Sequence, residues 1–264
     1  MTARPPRVSV LTPVRRPVGR YLAELHAALD AQAGVEWEWV IQVDGGRSLL
    51  RRVPSAVRAD PRVRLDANGR WLGQPTTRNL ALARVRHPLL QNADADDLLL
   101  PGALGAVAEV LRADPALGFA FGRTWEQRED GGRALGKNPY PPGRIEPGLL
   151  VRDWERRRGS CSIVVGSVMW RTACVLAHGG WTASVAGPDV LLLLAVAAAH
   201  PAACVDHDTY VYRAHPGQVH RGALRHAMRP AYRTLARRMI AAREELGLVA
   251  VPADRTGAAA DGEG

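Results

Sequence analysis

The chain has 264 residues, enough for one enzyme-sized domain with an appendage and for a sizeable buried core. Its 47% hydrophobic and 23% charged content excludes wholesale disorder. Lys and Arg number 35 against 26 Asp and Glu, a net charge of +9, yet Lys137 is the only lysine. With abundant Ala, Gly and Pro, that skew reads as GC-rich coding bias and weakens the argument from charge to a nucleic-acid partner. The N-terminus has no long apolar run of the secretory type. The longest apolar stretch, Val190 to Ala199, is about half of the roughly 20 residues that a membrane span needs. Cys161, Cys174 and Cys204 are odd in number and without CxxC spacing, so reduced thiols in a cytoplasmic protein are expected.

In chain order, Val8 to Leu11 predicts a strand ending at Thr12-Pro13, where proline should stop pairing. A helix from Val18 to Ala33 follows, with Leu22, Leu25, Ala28 and Leu29 on one face. Trp37 to Val43 is a second strand ending at Asp44-Gly45-Gly46. After a short helix come a third strand, Val63 to Leu65, and a helix, Pro75 to Val85. Pro88 to Ala93 is a fourth strand ending at Asp94-Ala95-Asp96-Asp97. This alternation implies βαβ units and a largely parallel sheet, in which ligands bind beyond the carboxyl ends of the strands.

The second half is less regular. Pro101 to Arg112 predicts a helix and Leu117 to Trp125 a strand. Glu126 to Gly148, rich in Gly, Pro and charge, reads as a mobile loop near the site. Ser162 to Trp170 alternates like a strand, Pro188 to His200 is an apolar helix and Ala203 to Tyr212 a returning strand. Gln218 to Leu246 is helical, with a kink expected at Pro230. Pro252 to Gly264 reads as a disordered tail.

The chemistry concentrates at Asn92-Ala93-Asp94-Ala95-Asp96-Asp97. Three carboxylates within four residues repel one another unless a cation or hydrogen bonds compensate, and hard divalent ions prefer such oxygens. An isolated DxDD also suits a solvated turn before a helix. Here it follows Val8-Ser9-Val10-Leu11-Thr12-Pro13, Val40-Ile41-Gln42-Val43-Asp44-Gly45-Gly46 and Gly73-Gln74-Pro75-Thr76-Thr77-Arg78-Asn79, and precedes Leu98-Leu99-Leu100-Pro101.

That order resembles the family-2 inverting glycosyltransferases, over roughly residues 7 to 215. The resemblance implies an α/β GT-A fold, a Rossmann-like αβα sandwich with a mostly parallel central sheet, acting on nucleoside diphosphate sugars with Mn²⁺ or Mg²⁺. It implies that Thr12, Pro13 and Arg15 line the nucleotide pocket and that Asp44 accepts a hydrogen bond from the base. Arg78 would approach the nucleotide or its phosphates, Asp94 the ribose, and Asp96 the metal, with Asp97 supporting the metal site from beside it. Asn79 reads as a residue that pins backbone. Two positions depart from the family: Asp-Gly-Gly replaces Asp-Asp-Gly-Ser, and Thr77 stands where alanine is usual.

Inverting transfer needs a base for the acceptor hydroxyl. In the family it is often the aspartate of an E-D pair opening a helix after a G-G-aromatic segment. Gly179-Gly180-Trp181 followed by Gly187-Pro188-Asp189 assigns that role to Asp189, with Pro188 in place of the glutamate. In Tyr212-Arg213-Ala214-His215, Arg213 or His215 would face the leaving diphosphate, and His215 is also a candidate metal ligand.

The organisation expected is a catalytic domain over 1–215, a basic helical extension over 216–250 and a tail over 251–264. Arg221, Arg225, Arg229, Arg233 and Arg237 recur every fourth residue, beside an apolar stripe of Leu224, Met228, Leu235 and Met239. The stripe should pack on the domain. The arginines then read as a solvated face, or, in the sharper alternative, as a docking face for an anionic membrane surface, an acidic acceptor or a second copy of the chain. UDP is the favoured nucleotide; the acceptor, a hydroxyl of a glycan, lipid-linked or natural-product molecule, is not readable. A cytoplasmic protein, peripheral to the inner membrane face if the helix docks there, is the expectation. The alternatives are a sugar nucleotidyltransferase, which usually carries a Gly-rich loop where Thr12-Pro13-Val14-Arg15 stands, and a non-enzymatic binder of anionic polymers.

Overall fold

The computed structural model describes residues 4–17, 19–136, 138–215 and 227–248. Ten strands form one sheet: β1 Arg7–Val14, β2 Glu36–Val43, β3 Val63–Ala67, β4 Leu89–Asn92, β5 Leu98–Leu99, β6 Phe119–Gln127, β7 Arg133–Leu135, β8 Gly143–Ile145, β9 Met169–Arg171 and β10 Ala202–Arg213. The order is β3-β2-β1-β4-β9-β6-β10-β5, with β7 on β6 and β8 on β10. β3, β2, β1 and β4 are mutually parallel. β9 runs against both β4 and β6, so β6 and its parallel neighbour β10 share the direction of the first four. The sheet is mostly parallel, as the alternation implied.

Eight α-helices are described: α1 Gly19–Asp30, α2 Ser55–Ala59, α3 Gln74–Leu82, α4 Ala103–Ala113, α5 Leu149–Arg156, α6 Thr172–Ala177, α7 Pro188–Ala199 and α8 Arg229–Glu245. The period-2 pattern of the strands sorts the layers. Val8, Val10, Trp39 and Ile41 face α1 and α4, burying Leu22, Leu25, Leu29, Leu104 and Leu111. Leu11 and Val40 face the other side, against Ala81 and Leu82 of α3 and Leu192 and Val196 of α7.

Several expectations need correction. β1 continues through Pro13, paired with Gln42 of β2, to Val14. The carbonyl of Val14 accepts from Asp44 on the β2 side, whereas that of Leu11 accepts from Ala93 on the β4 side. Pro13 therefore turns its missing N–H toward β4, where pairing has already ended at Leu11. Glu126 to Gly148 is not a structureless loop: it carries β7, which pairs with β6, and β8, which pairs with β10. Ser162 to Trp170 forms a 3₁₀ turn, Val165–Ser167, and only the short β9. Pro230 lies in the first turn of α8, where its lost N–H costs nothing, and opens the helix instead of kinking it.

The face of α8 that packs is Tyr232, Ala236 and Ile240, against Trp154 of α5 and Leu191, Leu194 and Ala198 of α7. Of the predicted stripe, Met228 and Leu235 are exposed, and Leu224 lies outside the described residues. Arg221, Arg225 and the predicted tail also lie outside them.

Away from the strand ends, His26, Asp30 and Asp60 bring three potential ligand atoms within 4.8 Å. Arg62 already compensates this charge: its guanidinium bonds both acids, and it stacks on Trp37 at 3.8 Å. Arg62, helped by His26 at 2.8 Å, holds the Asp60 carboxyl well below the usual carboxylate range. A depressed carboxylate stabilises the fold above its unfolded pKa, about 3.9, and that stability fades as pH falls. Asp60→Asn should therefore cost about 1–2 kcal/mol in urea unfolding at pH 7, with the deficit closing below about pH 4. A pH-independent deficit would assign the loss to packing.

Candidate functional site

The carboxyl ends of β1, β2 and β4 and the C-terminal end of β10 meet at one edge of the sheet. β10 reaches it by a bulge: its register against β6 shifts between Cys204 and Asp208 and again before Tyr210. The polar run Val205-Asp206-His207-Asp208 cannot be buried as a regular strand, and Arg123 of β6 pairs with both aspartates. The bulge then re-aims Tyr210 and Arg213 toward the DxDD.

The three acids of that motif have different surroundings. Asp97 is buried, and both its oxygens are occupied: the Tyr210 hydroxyl donates to one at 2.9 Å and the Arg213 backbone N–H to the other at 2.9 Å. Burial, with Asp94 and Asp96 nearby, pushes its carboxyl well above the ordinary range despite those two bonds. Asp97 thus faces into the fold. Asp96 faces outward, its Oδ2 at 2.7 Å from His215 Nε2. Asp94 Oδ1 accepts from Arg78 Nη2 at 2.7 Å. Asp94 Oδ2 and Asp96 Oδ1 carry no bond within the described residues, but Asp94, Asp96 and His215 do not bring three ligand atoms within 4.8 Å of one another as His26, Asp30 and Asp60 do. Asp94, Asp96 and His215 still supply hard oxygens with one nitrogen, a donor set that suits Mn²⁺ or Mg²⁺.

Arg78, read from the sequence as approaching the nucleotide or its phosphates, lies inside the fold. It is 2% exposed, and its two amino groups bond Asp94 and Asp189. Burial pulls its pKa down, and Asp189 and Asp94 more than reverse this, leaving it above the ordinary arginine value. The guanidinium therefore clamps the DxDD to the first turn of α7. Asp189 keeps Oδ2 without a partner among the described residues.

A second tie reinforces this link. Asn79 Nδ2 donates to the Trp181 carbonyl at 2.9 Å, and its Oδ1 accepts from the Trp181 N–H at 2.9 Å. Gly180 has φ +70°, and a Cβ there would sit 2.3 Å from Asn79 Oδ1. The Gly-Gly-Trp segment is thus glycine-rich because α3 must grip its backbone, as the pinning role read for Asn79 requires.

The nucleotide-side residues divide similarly. Thr12 is buried, and its hydroxyl accepts from Trp39 Nε1 at 2.8 Å, so only its backbone is available to line a pocket. Pro13 is half-buried and Arg15 exposed, with its guanidinium 5.9 Å from the ring of Trp71. Asp44 is a loop organiser: it accepts from the backbone N–H groups of Leu72, at 2.7 Å, and Gly73, at 3.0 Å, and from Asn68 Nδ2 at 3.0 Å. Thr77 has a structural account, since its hydroxyl accepts from Asn68 and donates to the Gly73 carbonyl, both at 2.8 Å. Arg213 turns to Glu24 of α1 and lies 5.2 Å from the ring centroid of Tyr21.

Sequence reasoning missed Tyr210, Glu24 and Trp71. Tyr210 had a signal, as an inward position in the alternating Asp208-Thr209-Tyr210-Val211. Trp71, 67% exposed between Gly69 and Gly73, had one too: a large aromatic in a polar loop.

Residues 9–173 match the model of "Glycosyl transferase family 2", well over half of the chain, and the chain belongs to that family. It is 28% identical over 141 residues to the O-antigen biosynthesis protein RfbC of Myxococcus xanthus, a match covering 53% of this chain and 11% of that protein. S. aureus TarS 1–349 in complex with UDP-GlcNAc superposes with a TM-score of 0.66 at 16% identity, over 82% of this chain and 61% of that one. The mannosyltransferase PcManGT from Pyrobaculum calidifontis, in complex with GDP-Man and Mn²⁺, gives 0.60 at 17% identity, over 86% and 62%. The chain therefore spans about a tenth of the curated relative and about three-fifths of the solved ones. The likeness in structure establishes the GT-A fold.

Proposed function

We propose that the protein is an inverting glycosyltransferase that moves a sugar from a nucleoside diphosphate sugar, UDP favoured, to an acceptor hydroxyl. The observation that supports this best is the Asp94–Arg78–Asp189 bridge, which holds a candidate base beside the acids of the DxDD. Arg78 fixes Oδ1 of Asp189 and leaves Oδ2 to take the acceptor proton as the hydroxyl attacks the anomeric carbon. Asp94 and Asp96, with His215, would hold a divalent ion, whose charge would stabilise the departing diphosphate. Asp97 acts indirectly: its bonds to Tyr210 and Arg213 fix the turn that presents Asp96. Arg15 and Trp71 flank the nucleotide side with Pro13, and Asp44 acts through the shape of its loop. Residues 1–215 form the catalytic domain, with α8 as an extension seated on it. None of the described helices is long and apolar enough to cross a membrane, and we place the reaction in the cytoplasm.

The test is donor turnover with water as the acceptor, using UDP-GlcNAc and GDP-mannose with and without Mn²⁺. A glycosyltransferase releases the nucleoside diphosphate in a metal-dependent manner, whereas a sugar nucleotidyltransferase would instead consume the donor only with added pyrophosphate. No turnover and no donor binding across nucleotide sugars would overturn the reading. Trp71→Ala should weaken donor binding about 5- to 20-fold by calorimetry if the indole packs on the donor, by analogy with stacking worth about 1–3 kcal/mol per base.

A further inference from the structure

The nucleotide-sugar side of the site is assembled from opposite ends of the chain. β1 and the loop after it, with Pro13 and Arg15, lead into α1, whereas Arg213 and His215 lie at the end of β10 and just beyond it. Side chains on the first two turns of α1 tie these ends together. Glu24 accepts from Arg213 Nη2, and the Arg213 side chain is only 13% exposed. Tyr21, on the same helix face three residues earlier, lies between two guanidinium groups. Arg20 is 4.8 Å and Arg213 5.2 Å from its ring centroid. The same ring neighbours His215, with centroids 6.2 Å apart.

This tie holds the stretch that meets the DxDD. Within six residues, the Tyr210 hydroxyl and the Arg213 N–H bond Asp97, and His215 Nε2 bonds Asp96 at 2.7 Å. Pairing with β6 is by then running out: the Ala214 N–H donates to the Gln127 carbonyl at 2.8 Å, and His215 lies one residue further on. Side chains must therefore fix what the sheet no longer does. Glu24 also meets Arg20 at 3.8 Å, but that pair is exposed and within one helix, so it contributes little. The pair with the largely enclosed Arg213 joins residues 189 apart in sequence.

We propose that Glu24 and Tyr21 are positioning residues for the transfer. They hold Arg213, and through it the turn that presents Asp96 and His215 to the diphosphate and its metal. Neither touches the reacting atoms. The work of Asp96 and His215 rests on the transferase reading, but the hold on Arg213 does not.

Hydrogen exchange of the Arg213 amide, followed by NMR on the ligand-free protein, tests that hold, because this N–H donates to Asp97. Glu24→Ala should speed its exchange at least about tenfold while amides of β1 and β2 keep their rates. Alanine is the best helix former, so α1 itself should persist. Calorimetry with UDP and Mn²⁺ reads the consequence: Glu24→Ala should weaken Mn²⁺ binding roughly tenfold, the lower end for partners that orient metal ligands. Glu24→Gln keeps an oxygen for Arg213 and should restore most of both readouts. Tyr21→Leu should move both in the direction of Glu24→Ala. Adding Glu24→Ala to Arg213→Ala should cost nothing beyond Arg213→Ala alone, because the two side chains act as one unit. Arg20→Ala, which removes only an exposed cation on the same turn, should stay within about twofold. Unchanged Arg213 exchange in Glu24→Ala, or additive losses in the double variant, would overturn the proposal. Equal losses in Arg20→Ala would do the same, by making this a general effect of charge on α1. If the wild type binds UDP and Mn²⁺ but exchange does not respond, only this inference falls. If exchange responds but the wild type binds neither, the transferase reading falls, and with it the link from Glu24 to the metal.

Discussion

Asp189→Asn is expected to lower turnover by about 10²–10⁴-fold while leaving donor affinity within about twofold. Asparagine keeps the shape and still offers an oxygen to Arg78, so the clamp between α3 and α7 should persist. What it removes is a group able to accept a proton at the position of Oδ2. Arg78 is almost wholly enclosed and retains Asp94 as a partner at 2.7 Å, so the variant leaves no isolated buried charge. A loss confined to kcat with KM for the donor unchanged is the signature of a group acting only as the acceptor attacks. Retention of more than about a tenth of wild-type turnover would remove Asp189 from the role. A parallel loss of donor affinity would instead make it part of the donor site.

The framework of this site was legible because its elements are local and strongly periodic. Val8 and Val10 against Ser9 and Leu11, and the apolar face of α1, each declare their layer without help from distant residues. What escaped the sequence depends on partners far along the chain. β7 and β8 are three-residue strands that exist because β6 and β10 offer them edges. The packing face of α8 was misread because Ala236 and Tyr232 carry less hydrophobic weight than Leu235 and Met239. Yet a small residue is what lets α8 approach α7. The same holds for the acids: the spacing of Asp94, Asp96 and Asp97 says that they crowd one turn, but not which face each takes. That division is made by Tyr210, over a hundred residues later, and by Arg78, whose two bonds brace Asp94 against Asp189.

The division among the acids predicts unequal consequences for two neighbouring substitutions. Asp96→Ala should lower metal-dependent donor turnover by at least about 100-fold and weaken Mn²⁺ binding, because it removes the outward carboxylate and strands His215 without its 2.7 Å partner. Asp97→Asn should fold and lose only about 10–100-fold in metal affinity, the scale of a group that orients a ligand without touching the ion. Its carbonyl oxygen still accepts from the Arg213 N–H, and its amide can donate to the Tyr210 hydroxyl oxygen, which preserves the turn. Tyr210→Phe tests the same arrangement from the other side. It deprives Asp97 of a donor and the Asp94 N–H of its acceptor at 3.3 Å, which should cost about 1–3 kcal/mol of stability. Mn²⁺ titration by calorimetry, with urea unfolding on the same proteins, separates these effects. If Asp97→Asn abolished metal binding while Asp96→Ala kept it, the roles of the two acids would be reversed, and the inward position of Asp97 would have to change when the metal binds.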